Sequence, residues 1–577
     1  MIGVNINMPV FFICNNKEYN YKLNNYNNEK CKYDLFNNKK YYIARNTLNK
    51  FLDDKVLFEN DQIIVVTEGI LLNKQELLKK YNKDSLSQLF EVITSNDEFF
   101  KEFRGPYSGC IYYKLKDEWI VFTNHIGDST IFYGNINDSF FIGSQFNYVL
   151  DAFNTSNNKL SLDKNAIYYM ITYGYMPDNT TYAKQIKRLE PGQYIKINKD
   201  KISVHTYHRL THFYKKYENM SENQIIDLLD KKFRIAVQRE FEKDIEYNYK
   251  HFCDLSGGLD SRMTIWVAHD LGYKNMLISN FCQSNYLDEV IAKEIASYLN
   301  EEILVKTLDD HKFLYDVDQI IKMNYGLSIY SGISGGLRLL DCLNLESYGV
   351  EHTGQVGDAI VGTFLKDESE INDKEISKVY SVKLVNRIDS EQFKNYEDKE
   401  IQLMYIRGFH GALSTHMIRS NYTIVTSPFL DVDFLEFCLS IPLKYRINHN
   451  IYFKWILKKY PKAADFKWEN INARINEPKF MKKYKEIVKR AKFKLANTIG
   501  IGKNTWAKYN MNPFNYWYDN DKNVQNFING YFNEEIVKYD FDKDLYNDLM
   551  YLFENGNASE KTQILTAIAT IKYYNLL

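Results

Sequence analysis

"CDLSGGLDSRM", residues 253–263, is the stretch whose reading decides the fold of the larger part of this chain. "YNYKHF" before it reads as a strand and "TIWVAHDLG" after it as a helix, so the stretch is a strand–turn–helix junction. Ligands of open parallel sheets sit beyond the carboxyl ends of the strands, which is where this turn lies. Gly257 and Gly258 remove side chains, so backbone N–H groups and the positive helix end can close on an anion. Ser256 and Ser261 add hydroxyl donors. Asp260 repels a phosphate directly but serves one through a bridging Mg2+. The lysine of a GxxxxGK[ST] loop is missing, which separates the turn from the Walker-type NTPases.

Outward from this turn the pattern repeats. "NQIIDLLDKKFRIAVQREF" is an amphipathic helix, "NMLISNFC" a second strand, "LDEVIAKEIASYLN" a second helix and "EEILVKTL" a third strand. Strands alternating with helices of this length predict an α/β parallel sheet. Past about residue 310 the chain reads as largely helical. Before about 210 it is different: short alternating runs such as "DQIIVVTEGILL" and "STIFYGNINDSFFIGS" end in turn residues, which predicts antiparallel hairpins. Helical patches between them, "KQELLKKY" and "SLSQLFEVITS", make that part α+β. The division falls at 1–210 and 211–577, with "RLTHFYKKYENMSENQ" as linker and the last hundred residues as helices packed on the second domain.

Composition narrows the function. The 73 basic and 74 acidic residues leave a net charge of -1, against a dominant nucleic-acid or membrane-surface role. Seven scattered cysteines without CxxC spacing fit buried thiols in a reducing compartment. "MIGVNINMPVFFICNN" lacks the basic start and small-residue cleavage site of a signal peptide, and no run of 18 apolar residues occurs. The expectation is a soluble, cytoplasmic protein with no nucleic-acid or membrane partner. His352, His410 and His416 have no HExxH-like spacing and Cys253 reads as core packing, while the lysines of 482–494 read as a solvated helix face.

The motifs also carry a family resemblance. "SGGLDS" resembles the pyrophosphate-binding loop of the ATP pyrophosphatases, and "GVEHTGQVGDAIVGTF", 349–364, resembles the "SGEGxDExFGG" segment of asparagine synthetases. "TSPFLDVDFLEFCLSIPLKYR" and "YFKWILKKYPK" are similar to that family's later helices. "TEGILLNKQEL", "FTNHIGDSTIFYG" and "FIGSQFNYVL" resemble its class II glutamine amidotransferase domain. The resemblance runs in order over roughly 60–475. It implies an amidotransferase-like α+β sandwich followed by an α/β ATP-pyrophosphatase domain with a helical C-terminal part. It also implies ATP and Mg2+ as cofactors. Leu255, Ser256, Gly257, Gly258, Asp260, Ser261, Gly354 and Gly357 would line the nucleotide site, and Asp260 and Asp358 would hold the metal.

Departures from the family pattern are equally specific. The glutaminase nucleophile is a cysteine exposed after methionine removal, and Ile2 stands there. The "RGPD" arginine is not recognisable; "RGPYSG" at 104–109 is elsewhere, and Asn73 alone of the glutamine pocket is present. Gln355 and Ala359 stand where the family has glutamates. The late lysine aligns with Ile471, leaving Arg474, or Lys479 one turn on, as the cation for the acyl-adenylate. β-Lactam synthetases and lasso-peptide macrolactam synthetases resemble this combination, coupling a carboxylate to an amine already on the substrate. That implies a small-molecule or peptide carboxylate, with a precursor peptide or pathway protein as a partner and oligomers compatible. Alternatives are ammonia-dependent amidation of aspartate or a surface-sugar acid, a non-catalytic scaffold, and a tRNA- or sulfur-modifying pyrophosphatase.

Overall fold

A computed structural model describes residues 10–15, 31–37, 40–93, 98–136, 138–155, 160–199, 201–373, 375–389, 395–478, 487, 491 and 511–576. Ile2, Lys479 and all but two residues of the lysine-rich 482–494 stretch lie outside the described residues.

The alternating N-terminal runs form two six-stranded antiparallel sheets. One is built around Val10–Cys14, Tyr42–Leu48 and Ser139–Gly143, the other around Ile63–Gly69, Tyr107–Tyr113 and Glu118–Phe122. Their inner faces share one core, where Phe11, Ile13 and Ile43 meet Val66, Trp119 and Ile195. Helices Lys74–Tyr81 and Leu86–Ile93 bury Leu77, Leu89 and Phe90 against the outer face of the second sheet. Helices Phe146–Thr155 and Lys164–Tyr173 cover the first. Each sheet is thus apolar on both faces, the condition for a four-layer sandwich.

Five strands beyond residue 249 form a parallel sheet, in the spatial order Glu302–Thr307, Leu277–Cys282, Lys250–Asp254, Tyr348–His352 and Val425–Thr426. Helix Glu222–Glu246 starts at a capping box on Ser221 and Gln224. It packs Leu229, Phe233 and Val237 into the same core as Ile265 of helix Asp260–Asp270 and Ile291 of helix Leu287–Leu299. The strands Tyr348–His352 and Val425–Thr426 correct the reading of the later chain as largely helical. They are five and two residues long and bury Glu351, His352 and Thr426, so they lack the apolar run that marks a parallel strand.

Two connections tie the halves together. The 209–221 segment is pinned to the second half: Leu210 N–H donates to Tyr405 Oη at 3.1 Å, and His212 Nδ1 meets Leu439 O at 2.9 Å. Helix Ala558–Tyr574 is buried nearly all round, its Glu560, Gln563, Thr566 and Thr570 included. It shares one core with Ala166 and Met170 of the first half and Ile320 and Tyr330 of the second. Gln563 Nε2 donates to Met170 O at 3.0 Å, so the C-terminal helices pack on both halves rather than on the second alone. No helix among the described residues is long and apolar enough to cross a membrane.

Candidate active site

Between strand Lys250–Asp254 and helix Asp260–Asp270 the chain makes the glycine turn. Its geometry is set by its own hydroxyls. Ser256 N–H donates to Ser261 Oγ at 3.0 Å, Gly258 N–H to Ser256 Oγ at 3.1 Å, and the two hydroxyls share a hydrogen bond at 3.2 Å. Gly257 N–H donates to Asp288 Oδ1 at 2.7 Å. The amides of 256–258, read from the sequence as open to an anion, are therefore occupied by side chains that an anion has to displace. Asp288 belongs to the helix after the second strand, and nothing in the turn itself announces it. Burial pushes its carboxyl up to about 6, with the nearby charge of Glu469 acting in the same direction and the Gly257 amide opposing. Glu469 N–H in turn donates to Gly257 O at 3.1 Å, so the turn is gripped from two remote segments.

Asp260 and Asp358 converge across the sheet. Asp358 N–H donates to Asp260 Oδ2 and Tyr452 Oη to Asp260 Oδ1, both at 2.8 Å. Burial holds the Asp260 carboxyl well above the usual carboxylate range, and the charge of Asp358 adds to it. The approach requires glycine on the other side: a Cβ on Gly354 would lie 2.1 Å from Ser261 N, and one on Gly357 2.7 Å from Asp260 Cγ. Two carboxylate side chains brought together in this way offer the oxygen donors that a hard divalent metal takes. A second group of metal-ligand type, Asp244, His251 and His352, is buried with its ligand atoms within 4.8 Å. There Asp244 Oδ2 bonds His251 Nδ1 at 2.9 Å and His352 Nε2 at 2.8 Å, an arrangement already satisfied as a buried ion-pair network.

A cleft of about 430 Å³ opens over the carboxyl ends of the strands. Leu255, Ser256, Gly258, Asp260, Ser261, Gly354 and Asp358 line it, whereas Gly257 and Gly357 lie behind the lining. Arg474 does not reach it. It is exposed on strand Ala473–Arg474, paired across a small hairpin with Lys467, while Trp468, Glu469 and Asn470 of that hairpin form the wall.

The glutamine amidotransferase domain family matches residues 56–208. The chain is 23% identical over 278 residues to asparagine synthetase [glutamine-hydrolyzing] 1 of Bacillus subtilis, covering 46% of this chain and 42% of that protein. Over that stretch the chain is similar to asparagine synthetases. A putative asparagine synthetase [glutamine-hydrolyzing] 2 of Methanocaldococcus jannaschii is also 23% identical, over 46% of this chain and 54% of its own length. The chain thus spans about half the length of the curated relatives it matches. A solved glutamine phosphoribosylpyrophosphate amidotransferase from B. subtilis overlaps 46% of this chain and 67% of its own at 11% identity, with a TM-score of 0.21, too loose to bear on fold or function.

Departures of the chain from the asparagine synthetase motifs have structural consequences. Gln355 lines the cleft, its Nε2 donating to Thr415 Oγ1 at 3.2 Å and its Oε1 facing His416 Nε2. His416 Nδ1 lies 3.3 Å from Asp128 Oδ2, so a polar chain joins the first domain to the cleft. Ala359 is buried in the core of the second domain. Val356 carries φ 65°, a left-handed conformation that a β-branched residue adopts only under strain. It stands where the asparagine synthetase segment has its second glycine, a departure visible in the sequence at 353–358. In the first domain Asn73 braces a loop: its Oδ1 accepts from Arg104 N–H at 3.0 Å and its Nδ2 donates to Glu102 O at 2.9 Å. Cys14 and Cys110 are buried in the two sheets, and burial pushes the Cys110 thiol up to about 12.

Proposed function

We propose that this protein is an ATP- and Mg2+-dependent ligase that adenylates a substrate carboxylate and couples it to an amine carried by the substrate. The observation that carries the reading is the convergence of Asp260 and Asp358 beside the glycine turn. In the first step a carboxylate oxygen attacks the α-phosphorus of ATP and pyrophosphate leaves, giving an acyl-adenylate. In the second the amine attacks the acyl carbon, AMP leaves with the C–O electron pair, and the amine gives up a proton. Ser256, Ser261 and the start of helix Asp260–Asp270 orient the phosphates, and Gly354 allows the second loop to approach them. Mg2+ held by Asp260 and Asp358 supplies neutralisation of the charge that collects on the departing pyrophosphate. Tyr452, donating to Asp260, fixes the carboxylate in place.

Glutamine hydrolysis is not part of the proposal. A glutaminase nucleophile needs an accessible thiol of low pKa, and the thiols of Cys14 and Cys110 are buried, the latter with its proton held tightly. Asn73 is committed to its loop. An amine carried by the substrate then replaces glutamine as the source, giving a lactam or macrolactam; free ammonia, giving asparagine or a related amide, is the second reading. Isothermal titration tests the nucleotide half of the proposal. ATP with Mg2+ should bind the wild type and bind Asp260→Asn at least tenfold more weakly, while binding that ignores Mg2+ or this substitution contradicts it.

A further inference from the structure

Asp254, the last residue of its strand, is a charged side chain in the centre of a parallel sheet, a place ordinarily filled by apolar residues. It is not alone. Arg419 Nη1 donates to Asp254 Oδ2 at 2.9 Å and to Glu351 Oε1 at 2.7 Å, and Ser279 Oγ donates to Asp254 Oδ1. Arg419 is 1% exposed and Glu351 fully buried. Arg419 Nε and Nη2 and Glu351 Oε2 have no hydrogen-bond partner among the described residues. A buried, incompletely satisfied ion triad stabilises a fold less than apolar residues of the same volume would. The triad does have a consequence at the cleft: Asp254 lines it with a side chain 21% exposed, beside Ser279 and Phe281. Phe281 lies against the Arg419 guanidinium, 5.8 Å from its ring centroid.

The sheet order gives the cleft two ends. Asp260 and Asp358 mark the end between the strands Lys250–Asp254 and Tyr348–His352. Asp254, Ser279 and Phe281 mark the end between Lys250–Asp254 and Leu277–Cys282. With phosphates at the first end, the base of the nucleotide falls at the second. We propose that Asp254 reads the nucleobase, accepting a hydrogen bond from the 6-amino group of adenine packed against Phe281, with Arg419, Ser279 and Glu351 as positioning residues. Arg419 and Ser279 each take a lone pair of Asp254, and Glu351, whose buried carboxyl is held well above the usual carboxylate range, shares a hydrogen bond with it, which leaves a fixed acceptor toward the cleft. A purine with hydrogen at position 6 leaves that carboxylate unpaired, and one with a 6-oxo group sets oxygen against oxygen.

The inference rests on the nucleotide reading above and is tested separately from it. Wild-type protein is titrated with ATP, purine riboside triphosphate and inosine triphosphate, each with Mg2+. ATP should bind about 10- to 100-fold tighter than either analogue, the range expected for a hydrogen bond to a charged acceptor. Asp254→Asn and Arg419→Met should compress that ratio toward one. A purely structural triad would weaken all three nucleotides together and leave the ratio unchanged. Equal binding of the three by the wild type, or a ratio untouched in a folded variant, overturns the base-reading role while leaving the ligase proposal standing. Failure of every nucleotide to bind overturns both.

Discussion

The backbone N–H of Asp358 donates to the carboxylate of Asp260 at 2.8 Å, so the second loop reaches the first through an amide while its own carboxylate stays exposed beside it. In the proposed metal-binding role the two carboxylates repel one another until a cation binds. Asp358→Asn should therefore leave the metal-free protein at least as stable as wild type in a thermal melt, because a like charge is removed. The same variant should lose tenfold or more in affinity for ATP with Mg2+. A large drop in melting temperature would mean that Asp358 serves the fold rather than a metal.

Two glycines that look interchangeable in the sequence should behave differently. A Cβ on Gly354 would sit 2.1 Å from Ser261 N and 2.3 Å from Asp260 C, backbone atoms that cannot yield. A Cβ on Gly258 meets only Ser256 Oγ, at 3.1 Å. Denaturant melts of Gly354→Ala should show a loss of about 3 kcal/mol, the upper range of overpacking, and those of Gly258→Ala a loss within about 1 kcal/mol. Reversal of that order would show that the two loops do not meet as described.

Much of the larger domain was legible because its signals are local. Glycines, hydroxyls and a carboxylate between an apolar strand and a helix specify the turn at 253–263 whatever lies around it. The occupants of that turn were not legible: Asp288 and Glu469 grip Gly257 from about 30 and 210 residues away, and neither spacing nor composition points to them. Strand Tyr348–His352 was hidden by its buried Glu351 and His352, whose partners lie on other elements. Charge points to Arg474, but its place on the second strand of a small hairpin leaves it outside the cleft lining.

Val356 tests strain. A half-buried valine at an ordinary φ loses roughly 1 kcal/mol or more of apolar burial on truncation, and glycine adds about 0.4–1 kcal/mol through the unfolded state. At φ 65° the relief of about 1–3 kcal/mol of backbone strain opposes both. Val356→Gly should fall within about 1 kcal/mol of wild type in equilibrium unfolding. A loss of 2 kcal/mol or more would show that the left-handed backbone carries no strain.

Asp288 gives a pH dependence with a definite sign. Its folded carboxyl is held at about 6 against an ordinary 3.8, so between those values the folded state binds the proton that the unfolded state has lost. Stability from this group is present at low pH and falls as pH rises through about 4–6, by on the order of 2–3 kcal/mol. Asp288→Asn keeps an acceptor for Gly257 N–H and removes the titration. Its stability relative to wild type should grow from pH 4 to pH 7 by that amount, and a constant difference across the range would contradict the assignment.

The central claim is that ATP is cleaved between its α and β phosphates. Purified protein is incubated with Mg2+, ATP labelled at the α and γ positions, and a low-molecular-weight cell fraction as the source of carboxylates and amines. The account predicts α label in AMP and γ label in pyrophosphate, in equal amounts, both lost in Asp260→Asn. Label in ADP and orthophosphate instead would contradict it.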